Sequence, residues 1–142
     1  MPNNSPMRWL VPGLALIVVF LAMTAAWLAV ALYTGQASGW MALVTAADLA
    51  LMLRITRAPS GVVACLLAVA ATVVTTLAAY WMITATYLGG MFGLGPLDSA
   101  MRLGPVLASE LTWLTLERAD WWAIGCAPVL AAIASFWLIR RD

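Results

Sequence analysis

The sequence predicts an all-α membrane protein, a four-transmembrane-helix bundle with an amphipathic periplasmic segment between helices 3 and 4. Two observations lead to this fold class. The 142 residues are 65% hydrophobic and only 9% charged, whereas soluble domains are about half apolar and a quarter charged. Long uncharged runs also alternate with short polar stretches. The composition therefore favours a bilayer as solvent, and the length predicts a single membrane domain over residues 1–142.

Four apolar runs are predicted to cross the membrane, over residues 10–32, 40–55, 62–88 and 121–139. The first run is about 35 Å long as a helix, enough for a hydrocarbon core of about 30 Å. A cleaved signal peptide is the alternative for this run, but such peptides have shorter apolar regions of about 7–15 residues. The second run is the shortest and carries Asp48 near its middle. The fourth contains Pro128, and Asp120 is placed to cap its start.

Residues 89–120 form the one long connection. Pro96 is predicted to open a short helix, and a second helix is predicted from Pro105 to Glu117. In the second helix, Leu107, Leu111 and Leu114 would share one face. The segment is too short and too charged to span, so we expect it to lie along the interface or to pack on the spans.

The arginine distribution predicts the orientation. Four spans place five arginines on one side: Arg8, Arg54, Arg57, Arg140 and Arg141. By the positive-inside rule this side is cytoplasmic. We therefore expect a multi-pass protein of the bacterial inner membrane, with both termini in the cytoplasm and residues 89–120 in the periplasm.

Asp48 is the one ionisable residue predicted deep in the hydrocarbon, where a carboxyl group needs a partner. We expect a hydrogen bond with Thr45, Thr72 or a backbone carbonyl. Three roles remain open for Asp48: a contact that fixes helix packing, a contact with a basic or hydroxylated helix of another protein, and a proton or cation site during transport.

Small and hydroxylated residues recur at every fourth position of the third span. They are Ala64, Ala68, Thr72, Thr76, Tyr80 and Thr84, here called the α3 stripe. Such stripes favour close helix packing, with a polar transport pathway as the alternative. The candidate binding residues are therefore Asp48, Thr45, Thr72, Thr76 and Tyr80.

Aromatic residues cluster towards the outer ends of the spans: Trp27, Tyr33, Tyr80, Trp81 and Tyr87. Trp and Tyr prefer membrane interfaces, which accounts for the cluster without a ligand. A pocket for a lipid or a quinone is the alternative interpretation.

The chain contains no histidine, and all seven of its basic residues are arginine. These absences exclude His-ligated haem, most zinc sites, Ser-His and Cys-His nucleophile pairs and Schiff-base chemistry. The near-neutral net charge of +1 offers no electrostatic surface for nucleic acid. We therefore expect no catalytic residues, no metal and no cofactor.

The predicted function is that of a non-catalytic subunit or accessory protein, which binds other membrane proteins or itself through its Ala- and Thr-rich faces. The alternative is a small homo-oligomeric transporter or channel, coupled to protons or cations through Asp48. A third hypothesis is an enzyme that acts on lipid through Asp98, Glu110 or Glu117. The expected partners are the lipid bilayer and another membrane protein or a second copy of the chain, with no nucleic acid.

Overall fold

The computed structural model describes residues 7–56 and 62–139. Over these residues the chain forms six α-helices and no strand, which confirms the all-helical prediction. The helices are α1 (Met7–Thr34), α2 (Met41–Ile55), α3 (Val62–Gly90), α4 (Pro96–Arg102), α5 (Pro105–Thr115) and α6 (Arg118–Ile139).

The helix ends follow from glycine and proline. Gly35 and Gly93 adopt positive φ angles of 68° just after α1 and α3, a conformation that glycine reaches without steric cost. Helices α4 and α5 each begin at a proline that follows a glycine. Proline suits the first helical turn because the backbone N–H that it lacks would have no partner inside the helix.

The four long helices run alternately up and down. Tyr87 near the end of α3 donates a hydrogen bond to the carbonyl of Ala31 near the end of α1, so these two helices are parallel. Gly39 and Asp120 join the starts of α2 and α6, which run the opposite way. Among the described residues, α2 and α3 contact each other and both α1 and α6, whereas no Cα atom of α1 lies within 8 Å of a Cα atom of α6.

The α3 stripe lies at the centre of this arrangement. All six of its residues are buried, which supports the packing interpretation. The Thr72 and Thr76 hydroxyls each donate a 2.8 Å hydrogen bond to the carbonyl four residues earlier in α3. The small side chains let neighbouring helices approach, and the hydroxyls are satisfied locally. The stripe is therefore used inside the chain and is not a free surface for a partner.

The connection between α3 and α6 packs on α3, one of the two arrangements expected for it. Leu107 and Leu114, which were expected to share one face of α5, are both exposed. Helix α5 instead contacts α3 through Ala108, which is buried, and through a 3.2 Å hydrogen bond between Thr84 and Thr112. Small residues form this contact because they allow α5 to approach α3 more closely than leucine would.

Two helices are long and apolar enough to cross a membrane: α1 over Leu10–Thr34 and α3 over Val62–Gly90. This finding supports membrane association and concerns the described residues only. Helix α2 has 15 residues, or about 22 Å, which is less than the hydrocarbon core. The structure therefore does not confirm the four-span arrangement.

Two adjacent glycines at the end of α3 provide a test of the packing between α3 and α4. A Cβ atom on Gly89 would collide with the Ser99 hydroxyl and come within 2.6 Å of its Cβ, whereas one on Gly90 meets nothing within 4 Å. We expect Gly89→Ala to lower the free energy of unfolding by about 1–3 kcal/mol through overpacking.

Gly90→Ala is the matched control and should leave the stability unchanged or raise it by a few tenths of a kcal/mol, because alanine favours the helix. Thermal and denaturant unfolding in mild detergent measure both variants. Equal effects at the two positions would contradict the packing of α4 on α3.

Candidate functional site

A cavity of about 520 Å³ opens at the end of the bundle where α1 and α3 finish and α2 and α6 begin. Residues 35–38 form one wall, and the last three turns of α3 form another. Leu111 of α5 and the start of α6 complete the lining. This volume lies within the range of about 300–1,000 Å³ that is typical of small-molecule sites.

Asp120 holds two parts of the cavity together. Its Oδ1 accepts a hydrogen bond of 2.7 Å from the backbone N–H of Gly39, in the turn before α2. Its Oδ2 accepts one of 3.1 Å from the N–H of Glu117. Asp120 thus caps α6, as predicted, but from the third helical position, because α6 begins three residues earlier than expected. The link to Gly39 has no signal in the sequence.

Gly39 is required for this contact. A Cβ atom at this position would lie 2.7 Å from the Cα of Asp120 and closer still to its carboxylate. Any larger residue would therefore push the turn away from α6 and open the cavity on that side.

Aromatic side chains fix the α1 and α3 sides of the cavity. Trp27 is fully buried and donates a 2.9 Å hydrogen bond to the carbonyl of Ala37. Its ring meets the ring of Tyr80 edge-on, with 5.4 Å between the centroids. Tyr87 lines the cavity and donates to Ala31. The walls are therefore held by directional contacts as well as by packing.

The predicted aromatic cluster is only partly a cavity wall. Tyr80 and Tyr87 line the cavity, and Trp27 lies behind Tyr80. Tyr33 is 93% exposed, and Trp81 instead donates a hydrogen bond to the carbonyl of Ala100 in α4. Helical spacing alone does not show which aromatic residues line the cavity, because that depends on the loop or helix that packs against each of them.

Of the described residues that line the cavity, Tyr80 is the one with a buried side-chain polar atom that makes no hydrogen bond. Tyr80 is 4% exposed, and its hydroxyl has no partner among the described residues. A buried hydroxyl without a partner costs about 1–3 kcal/mol. Tyr80 therefore places an unsatisfied hydroxyl in the protein beside the cavity.

The remaining predicted binding residues lie elsewhere. Thr45, Thr72 and Thr76 are buried between helices, and none lines the cavity. The expected hydrogen bond between Asp48 and Thr45 or Thr72 is absent: Thr45 donates to the carbonyl of Met41 and Thr72 to that of Ala68. Each hydroxyl finds an acceptor four residues back in its own helix, which competes with the more distant carboxylate.

Asp48 is half-buried on α2 and makes no hydrogen bond to any described residue. It belongs to a face with Val44, Leu51 and Ile55, at helical spacings of three and four. These three neighbours are 43%, 45% and 63% exposed. We call Val44, Asp48, Leu51 and Ile55 the outer α2 face. It is an apolar surface with one carboxyl group in its middle.

The three acidic residues of the lipid-enzyme hypothesis do not come together in one site. Asp98 and Glu110 are exposed and do not line the cavity, whereas Glu117 does. Within residues 7–56 and 62–139, no group of three or more His, Cys, Asp or Glu side chains is arranged to hold a metal ion. Cys65 and Cys126 are both free thiols.

Comparison with known proteins gives no relative for this chain, since no protein-family model, curated protein or solved structure matches it.

The two tyrosines of the cavity wall allow a direct test of their hydroxyls. We expect Tyr80→Phe to raise the free energy of unfolding by about 1 kcal/mol, because it removes a buried group without a partner. Tyr87→Phe should lower it by about 1 kcal/mol, because it removes the bond to Ala31.

Both variants delete one oxygen from the same helix, so each serves as the control for the other. Thermal unfolding in mild detergent, without added ligand, gives the comparison. Destabilisation of similar size in both variants would show that Tyr80 has a partner in the apo protein.

Proposed function

We propose that this chain is a small polytopic inner-membrane protein that acts as a non-catalytic accessory subunit of another membrane protein. The observation that carries the proposal is the outer α2 face, where Asp48 lies without a hydrogen bond among exposed apolar side chains. A helix that covered this face would bury three apolar residues and give the carboxyl group a partner. The α3 stripe, which sequence analysis favoured for this role, is already buried inside the chain.

The exposed surface supports a bilayer as the solvent. Large apolar residues are exposed along all four long helices, including Leu14 and Val18 of α1, Leu66 of α3 and Leu130 of α6. Soluble monomers seldom expose a continuous apolar patch larger than a few hundred Å². Lipid covers such a surface without exposing apolar side chains to water. The backbone N–H and C=O groups are hydrogen-bonded within the helices.

The alternation of the helices supports the proposal of four spans. If α1 and α3 cross the bilayer in one direction, then α2 and α6 return in the other. Helix α6 has 22 residues, or about 33 Å, which is sufficient. Helix α2 is short, but Arg54 in its last turn can extend to the headgroups.

The proposed orientation places the cavity and residues 89–120 in the periplasm and both termini in the cytoplasm. Of the five arginines that predict this orientation, Arg57, Arg140 and Arg141 lie outside the described residues. The charge rule itself depends only on their positions along the chain.

The orientation is tested by reporter fusions. Alkaline phosphatase, which is active only outside the cytoplasm, should be active when fused after Gly95 and inactive when fused after Asp142. Green fluorescent protein should give the opposite pattern. A fluorescent fusion after Gly95 would contradict the four-span topology.

The partner is expected to be a transmembrane helix that carries an arginine, a lysine or a hydroxyl group at the depth of Asp48. Polar contacts between helices in the bilayer contribute about 0.6–2 kcal/mol each, so Asp48 would add to apolar packing and not replace it. A charged partner would also remove the cost of leaving a carboxylate unpaired in lipid.

Site-specific photocrosslinking tests this proposal. A photoreactive residue at Leu51, on the outer α2 face, should form an adduct with a different protein in native membranes. The same residue at Val74, an exposed position of α3, is the control and should give little of this adduct.

Asp48→Asn should reduce the adduct yield several-fold, whereas Asp98→Asn, which removes an exposed acid from α4, should not. An adduct of twice the chain mass would favour the homo-oligomer instead. Purification of the chain only as a monomer, with no adduct at Leu51, would contradict the accessory role.

A second candidate function is transport coupled through Asp48, and the missing hydrogen bond at this residue also favours it. Four helices of one chain enclose little space at this depth, so a substrate path would require a second copy. Transport in vesicles that continued in Asp48→Asn with the same pH dependence would exclude this alternative.

A further inference from the structure

We propose that the cavity at the α1–α2 turn binds a primary ammonium group attached to an apolar body. The cavity lies within one chain, so this proposal does not depend on the partner or on the role of Asp48. It rests on two properties of the lining: apolar and aromatic walls, and two carboxylates at the start of α6.

The walls select an apolar body. Ile83, Leu88 and Met91 of α3 and its C-terminal extension, together with Leu111 of α5, present aliphatic surface to the cavity. Tyr87 and Trp40 add aromatic rings. Pockets with such walls and few polar groups bind ligands mainly through apolar burial, and the polar groups set the orientation.

The charges select a cation. Glu117 and Asp120 both line the cavity, and no arginine is among its described lining residues. The N-terminus of α6 contributes about half a positive charge, which offsets only part of two carboxylates. Aromatic rings at the same site add cation–π attraction.

The hydrogen-bonding groups select an N–H donor. Both Asp120 oxygens accept backbone N–H groups, but a carboxylate has about four acceptor sites, so each oxygen can accept again. Glu117 is exposed and makes no side-chain hydrogen bond to a described residue. A primary ammonium has three N–H donors, which these carboxylate oxygens can accept. A quaternary ammonium has no N–H group and would leave these acceptors unused.

Two kinds of ligand carry a primary ammonium group on an apolar body: a free hydrophobic amine and an amine-bearing lipid. The test therefore begins with a soluble probe, 2-phenylethylammonium, and with 2-phenylethanol and 3-phenylpropionate as its neutral and anionic counterparts. Isothermal titration calorimetry of the full chain in dodecyl maltoside should show the amine binding about tenfold tighter than the alcohol, a difference of about 1.4 kcal/mol. The acid should bind more weakly than the alcohol.

Two matched variants locate the site. Glu117→Gln removes a cavity carboxylate that has no described contact, so it should leave the fold intact and weaken amine binding about five- to tenfold. Glu110→Gln removes an exposed carboxylate of α5 that does not line the cavity, and it should change binding less than twofold. Binding of the alcohol should be the same in both variants.

Nanodiscs distinguish the two sources. If phosphatidylethanolamine in a phosphatidylglycerol bilayer weakens amine binding more than the same fraction of phosphatidylcholine does, the headgroup competes for the site. If its effect is no greater, the ligand is a free amine; both results support the proposal. Equal affinities for amine and alcohol, or equal effects of Glu117→Gln and Glu110→Gln, would overturn it.

Discussion

The structure depends on the capacity of α3 to contact every other helix. Within the described residues, α3 touches α1, α2, α4, α5 and α6. One helix can contact so many neighbours only if its side chains at the contacts are small, because these side chains set the distance between helices. Ala64, Ala68 and Thr72 provide this close approach near the start of α3, and Gly89 provides it near the end.

Close packing along α3 has a consequence at the outer end of the bundle. Helix α5 packs on α3 through Ala108 and through the hydrogen bond between Thr84 and Thr112. The space between them is closed on one side by the turn before α2, which Asp120 holds through Gly39. The cavity is therefore bounded by the loops and ends of helices, where spacing is looser than along the α3 stripe.

The helices and the buried stripe were predictable because both follow from local patterns. Uncharged runs set the extents of α1 and α3, and Pro96 and Pro105 set the starts of the short helices. The side of α5 that meets α3 was not predictable, because periodicity identifies leucines that share a side, not which side contacts a neighbouring helix. The cavity was not predictable, because the bond between Asp120 and Gly39 joins residues 81 positions apart.

The chemistry of the side chains explains which polar groups remain unpaired. A threonine inside a helix can donate to the carbonyl four residues back, as Thr45 and Thr72 do. Thr24 also lacks a partner among the described residues. A carboxylate has no proton to donate, and the tyrosine hydroxyl lies too far from its own backbone. Asp48 and Tyr80 therefore depend on groups outside their own helices, which makes them the positions where a binding partner changes the energy most.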